Sequence, residues 1–89
     1  MIVKTATVQN RLGLHARAAS KLVQLAQEFA ARISIVKGEQ VANGKSIMSI
    51  MMLQATAGTV LELRVEGEDE LVAIEAIVAL IEDKFGETD

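Results

Sequence analysis

His15 is the single imidazole of the chain, and it stands inside the nonapeptide Arg11-Leu12-Gly13-Leu14-His15-Ala16-Arg17-Ala18-Ala19. From Ala19 onward the apolar residues Ala19, Leu22, Val23, Ala26 and Phe29 recur at spacings of three and four, the stripe of an amphipathic helix, with Arg17, Lys21, Gln24 and Gln27 largely off it. The periodicity places His15 at or just before the first turn. A helix opening presents amides with no acceptor inside the helix, together with the positive end of the macrodipole, and so favours an anion. With the Arg17 guanidinium two residues on, the same field disfavours charge on the ring, so His15 is expected to be neutral near physiological pH and to keep a nucleophilic lone pair. A phosphoryl group taken up there would be cradled by the backbone of Ala16, Arg17 and Ala18 and by the guanidinium, through charge-assisted hydrogen bonds. The competing reading is plain: a lone histidine at a helix end also serves as a cap or an ordinary surface residue.

The elements that must hold this segment follow in chain order. Ile2 to Val8 reads as a first strand, with Ile2, Ala6 and Val8 on one face and Lys4 breaking the alternation. Asn10 to Gly13 forms the loop into the helix of His15, which is expected to run to about Phe29. Ile33 and Ile35 alternate with Ser34 and Val36 in a second strand, Gly38-Glu39 suits a tight turn, and Gln40 to Asn43 returns as a third. Ser46 is placed to cap a short helix over Ile47 to Leu53, in which Ile50 and Leu53 are core candidates. Thr59 to Glu66 alternates cleanly, with Leu61, Leu63 and Val65 facing inward. Glu68-Asp69-Glu70 suits the start of a last helix whose expected buried stripe is Leu71, Ile74, Val78, Ile81 and Phe85, closed by Lys84 and Gly86. The order βαββαβα predicts an α+β fold with the helices on one face of an antiparallel sheet.

Composition narrows the chemistry. Eighty-nine residues suit one domain spanning 1–89 with a single core, and leave no room for a cleft between lobes. Without cysteine, and with one histidine, neither a disulfide framework nor a thiolate or paired-histidine zinc site is available; no metal or cofactor is expected. A net charge of −3 and two aromatic residues, Phe29 and Phe85, give no basic stripe or stacking platform for nucleic acid. The N-terminus lacks a signal-peptide core and no run reaches membrane-spanning length, so a cytoplasmic protein without membrane insertion is expected.

A second segment invites a chemical reading. Gly44-Lys45-Ser46 looks like the end of a nucleotide-binding loop, but five residues separate Gly38 from Gly44 where that motif needs four. It is not an ATP site, and Ser46 reads first as a helix cap. The following Ile47-Met48-Ser49-Ile50-Met51-Met52-Leu53 is too short and too apolar to bury every side. Such a stripe usually belongs to the core, but exposed methionines are adaptable contact residues for more than one partner, and Leu14 would extend the patch beside His15.

The stretch Leu12 to Ala19, with Asn43-Gly44-Lys45-Ser46-Ile47-Met48-Ser49-Ile50-Met51-Met52-Leu53, closely resembles the HPr family, the histidine-containing phosphocarrier proteins of the phosphoenolpyruvate-dependent phosphotransferase system. The resemblance runs over nearly the whole chain. It implies an open-faced β-sandwich of four strands and three helices and, for function, a carrier without cofactors, expected to be a monomer. Enzyme I would phosphorylate the pros nitrogen, Nδ1, of His15, and IIA proteins would receive the group. It further implies docking of both partners on Leu14, Ile47, Met48 and Met51 with Arg17 as an electrostatic contact, and, in some members, regulatory phosphorylation of Ser46 by an HPr serine kinase/phosphatase. Transfer of this kind needs positioning and charge stabilisation more than a general base, consistent with the absence of a triad partner spaced around His15. Two positions depart from the family pattern. Ala18 stands where many members have proline, giving a looser first turn with one more amide donor; Leu12 stands where many have Ser or Asn, which removes a polar group beside the phosphate. Both bear on partner choice, for instance toward a nitrogen-related branch. The alternatives are a regulatory binding module of a nitrogen-related or incomplete phosphotransferase system, controlled through His15 and Ser46, and a domain that binds a small anion without forming a covalent bond.

Overall fold

The structure is a computed structural model that describes residues 1–88; Asp89, the last residue of the expected domain, lies outside the described residues. Four strands, β1 (Ile2–Thr7), β2 (Arg32–Lys37), β3 (Gln40–Asn43) and β4 (Val60–Glu66), form one sheet in the order β1-β4-β2-β3. Each neighbouring pair is antiparallel. Helices α1 (Ala16–Ala26), α2 (Ile47–Met51) and α3 (Glu70–Glu82) join them in the expected βαββαβα order, with a 3-10 turn over Lys84–Gly86 at the end.

The sheet is organised by β4, which pairs with β1 on one side and β2 on the other. Its alternation is kept throughout: Leu61, Leu63 and Val65 are buried and Arg64 and Glu66 exposed. The register sets Ala6 opposite Leu61 and Ile35 opposite Leu63, so the apolar sets of three strands fall on one face. Against that face pack Leu22 and Val23 of α1, Ile50 of α2, and Ile74, Ile77 and Ile81 of α3, one continuous core. Val36 is also buried but stands outside that cluster.

Several expectations are corrected. α1 ends at Ala26 and not near Phe29, because Glu28 and Phe29 donate to Leu25 and Ala26, the tighter i→i−3 bonds of a closing turn; Phe29 is left half-buried at the helix end. In α3 the buried face is Ala73, Ile74, Ile77 and Ile81, while Leu71 is exposed and Val78 half-buried. That helix is apolar almost all round, so spacing alone did not fix which stripe faces inward. Phe85 is fully buried as expected, but not as part of a helical stripe: α3 stops at Glu82, and Lys84, Phe85 and Gly86 all take left-handed backbone, with φ of +57°, +56° and +77°.

Two polar devices place the helices. Asp69, just before α3, accepts from the Ala30 N–H at 2.8 Å and the Ala31 N–H at 2.9 Å, tying the turn after α1 to the start of α3. These amide donors, Ala30 first, hold its carboxyl below the ordinary range against the opposing effect of desolvation. Ser46 caps α2 as expected, its Oγ accepting from the Ser49 N–H at 3.2 Å; α2 itself is shorter than expected, closing at Met51 with Leu53 still buried beyond it.

Candidate functional site

Gly13 sets the entry to the site. Its φ is +66°, and a Cβ there would run into the backbone of Ala55 and lie 2.9 Å from Thr56 Cα, so this close left-handed approach is open to glycine. Leu14 donates its N–H to Ala55 O at 2.9 Å, fixing the chain before the helix begins. His15 is then the N-cap residue of α1, with extended backbone and no capping bond from its ring. The first bond of the helix runs from the Ala19 N–H to His15 O at 2.8 Å. The amides of Ala16, Arg17 and Ala18 therefore belong to the first turn, where a helix supplies no acceptors. The imidazole stands where the sequence placed it, at the helix mouth and partly exposed.

Around it lies an open concavity lined by Arg11, Leu12, His15, Arg17, Lys21 and Glu87 among others. Three cationic side chains thus share the concavity with the ring. Arg17, at the second helical position, is exposed. Ala18 is fully buried, so this residue packs into the core while its amide stays at the opening turn.

Glu87 is the residue the sequence reading missed. Its Oε2 lies 2.6 Å from His15 Nε2, and its Oε1 accepts from Asn10 Nδ2 at 3.1 Å. The bond to His15, then that to Asn10, keeps the Glu87 carboxyl below the ordinary glutamate range against partial desolvation, with Lys21 adding to the effect. No hydrogen bond is formed by Nδ1 among the described residues. The local cue was faint: Gly86 permits the chain to reverse after α3, and a carboxylate follows it, but nothing in the spacing connects position 87 to a ring 72 residues away.

Of the expected docking residues, Ile47, Met48 and Met51 are exposed, at 43%, 72% and 39%, with Met52 beside them at 71%. Leu14 is not. At 5% exposure it belongs to the core, because the left-handed turn at Gly13 and the bond to Ala55 direct this residue inward; the exposed apolar residue near the ring is Leu12, at 61%. Ser46 is half-buried, its hydroxyl engaged in the cap of α2. Lys45, next to it, donates to Phe29 O at 2.6 Å, so α2 is tied to the end of α1. Among the described residues there is no cluster of side chains suited to a metal ion, and no helix long and apolar enough to cross a membrane.

Known proteins share the sequence pattern and the fold. The family described as "PTS HPr component phosphorylation site" matches residues 2–83. A phosphocarrier protein HPr of Neisseria meningitidis is 45% identical over 87 residues, covering 98% of each chain. A phosphocarrier protein NPr of Shewanella violacea is 47% identical over 81 residues, 91% of this chain and 89% of that one. Among solved structures, HPr from Thermoanaerobacter tengcongensis superposes with a TM-score of 0.96 at 46% identity, over the full length of both chains.

Proposed function

Because the chain belongs to the HPr family, the phosphocarrier components of the phosphotransferase system, we propose that His15 accepts a phosphoryl group on Nδ1 from phosphorylated enzyme I and passes it to a IIA protein. The observation that carries this reading is the placement of the ring at the N-cap of α1, Nδ1 without a hydrogen bond among the described residues, beside the amides of Ala16, Arg17 and Ala18. A dianion arriving there meets oriented N–H donors and the macrodipole, and the Arg17 guanidinium adds a charge-assisted contact. The hold is moderate because the concavity is open to solvent and Arg17 is exposed, and a moderate hold suits a group that must leave again.

Docking is assigned to Ile47, Met48 and Met51, with Leu12 in the place first given to Leu14, and Arg17 as the charged contact. Ile47, Met48 and Met51 form an exposed apolar surface on α2, which packs beside α1, the helix that His15 caps, so a partner seated on it is brought toward the ring. Residues 1–89 act as one unit in the cytoplasm, where the partners of the system are found.

A regulatory branch is the second reading, favoured by the similarity to an NPr as well as to HPr proteins. In it His15 is still phosphorylated, and the output is altered affinity for a regulator, with Ser46 as a further site for a serine kinase/phosphatase. Phosphate on Ser46 would trade a neutral cap for a charged one at the start of α2 and change the charge of the docking surface more than the fold.

Incubation with enzyme I and phosphoenolpyruvate should add one acid-labile phosphate by intact mass, and none to His15→Ala. Loss of that phosphate on addition of a sugar-specific IIA protein supports the carrier; retention there with transfer to a nitrogen-related IIA protein supports the second reading. Uptake by His15→Ala equal to that of the unaltered chain would contradict both.

A further inference from the structure

The C-terminal segment does more than end α3. Lys84 and Phe85 are non-glycine residues held in left-handed backbone, a conformation L residues keep where their surroundings enforce it. Here the enforcement is visible: Phe85 is fully buried, and Lys21 Nζ donates to Phe85 O at 2.7 Å. The turn so fixed delivers Glu87 to the ring, where its two oxygens are shared between His15 Nε2 and Asn10 Nδ2. Asn10 is itself fully buried and donates to Gly13 O at 2.8 Å, so the same amide group braces the loop before the helix and the carboxylate that faces the imidazole.

An ionised carboxylate only accepts hydrogen bonds. The 2.6 Å contact therefore requires the proton of the neutral ring to be on Nε2, leaving the lone pair on Nδ1. On the premise of the carrier reading above, we propose that Glu87 is a positioning residue for phosphoryl transfer: it selects the tautomer with Nδ1 free, and its charge faces the positive charge that develops on the ring during attack.

In the transfer the Nδ1 lone pair forms the N–P bond as the bond from phosphorus to the donor's leaving atom breaks, its electron pair staying with the donor. The Nε2 proton stays on the ring, which becomes a phosphorylated imidazolium paired with the Glu87 carboxylate. Onward transfer reverses these steps: the N–P electrons return to Nδ1 and the ring is neutral again. A carboxylate behind an imidazole acts in the same way in hydrolase triads and behind metal-bound histidines, where its removal leaves the ring mis-set.

Two measurements decide the role. Nitrogen-15 NMR of the unphosphorylated protein should show His15 almost entirely as the Nε2–H tautomer when neutral, and a mixture of tautomers in Glu87→Gln, whose amide can either accept from or donate to Nε2. With enzyme I and phosphoenolpyruvate as donor, Glu87→Gln and Glu87→Ala should take up phosphate about tenfold more slowly at unchanged melting temperature, with the phosphate still on Nδ1. A mixed tautomer in the unaltered chain, or variants that react as fast or faster, would overturn the role of Glu87 while leaving His15 as the acceptor. Failure of the unaltered chain to take up phosphate would instead defeat the carrier reading, and the tautomer result, obtained without any donor, would still decide whether Glu87 sets the ring.

Discussion

The chemistry proposed for this chain is concentrated in one nitrogen atom and in what surrounds it. His15 lines an open concavity, and its Nε2 is engaged by Glu87, so on the reading proposed above the two nitrogens of one ring have separate tasks. Arg17 stands in the same concavity, exposed. On the carrier reading proposed above it holds charge in the phosphorylated state, and Arg17→Ala should slow phosphate uptake by roughly 10- to 100-fold, the range of a lost charge-assisted hydrogen bond. The check is the initial rate of phosphorylation alongside a circular-dichroism spectrum, which should not change. At this scale the sequence was informative where the signal was local. His15, Ala16, Arg17 and Ala18 share one turn, and the periodicity that begins at Ala19 locates that turn without reference to the rest of the molecule. Glu87 was hidden because its meeting with His15 depends on a left-handed turn at Lys84, Phe85 and Gly86 that no local pattern announces.

At the scale of elements, legibility followed the clarity of the pattern. β4 was readable because its alternation allows one register, and a slip by one residue would turn Leu61, Leu63 and Val65 to solvent. In α3 the apolar residues surround the helix, so Leu71 and Ile77 exchanged places between expectation and structure. Ser46 was readable as a cap because the residues after it change abruptly to an apolar run. Its removal in Ser46→Ala should lower stability by about 1 kcal/mol, measured as a shift in denaturant midpoint. Gly13→Ala should cost more, roughly 2–4 kcal/mol, since it adds left-handed strain to a clash with the Ala55–Thr56 backbone. Asp69 supplies a pH dependence whose sign is fixed. Its carboxyl titrates below the ordinary value of 3.8 because the Ala30 and Ala31 amides favour the ionised form. The stabilisation is therefore fully present above that value and is lost as pH falls through the depressed one. The difference in melting temperature between the unaltered protein and Asp69→Asn should be constant at neutral pH and shrink on strong acidification; a gap that widens in acid would contradict this account.

For the whole molecule, one sheet and one core hold two surfaces in fixed relation: the concavity at His15 and the methionine-rich face of α2. The link between them is the packing of α1 on α2, reinforced by Lys45 reaching Phe29 O and by Gln27 approaching Lys45 O at 3.5 Å. On the docking proposed above, a partner seated on Ile47, Met48 and Met51 would be aligned with the ring before any chemistry occurs, which converts binding into orientation. Met48→Glu, at a position 72% exposed, should weaken enzyme I binding about tenfold in a titration followed by calorimetry, with no loss of thermal stability. The most direct test of the central claim is combined phosphorus-31 and nitrogen-15 NMR of the chain after reaction with enzyme I and phosphoenolpyruvate. One phosphorus coupled to Nδ1 of His15, with Nε2 still bearing its proton, is the predicted result. Phosphorus bonded to Nε2, or to any residue other than His15, would contradict it.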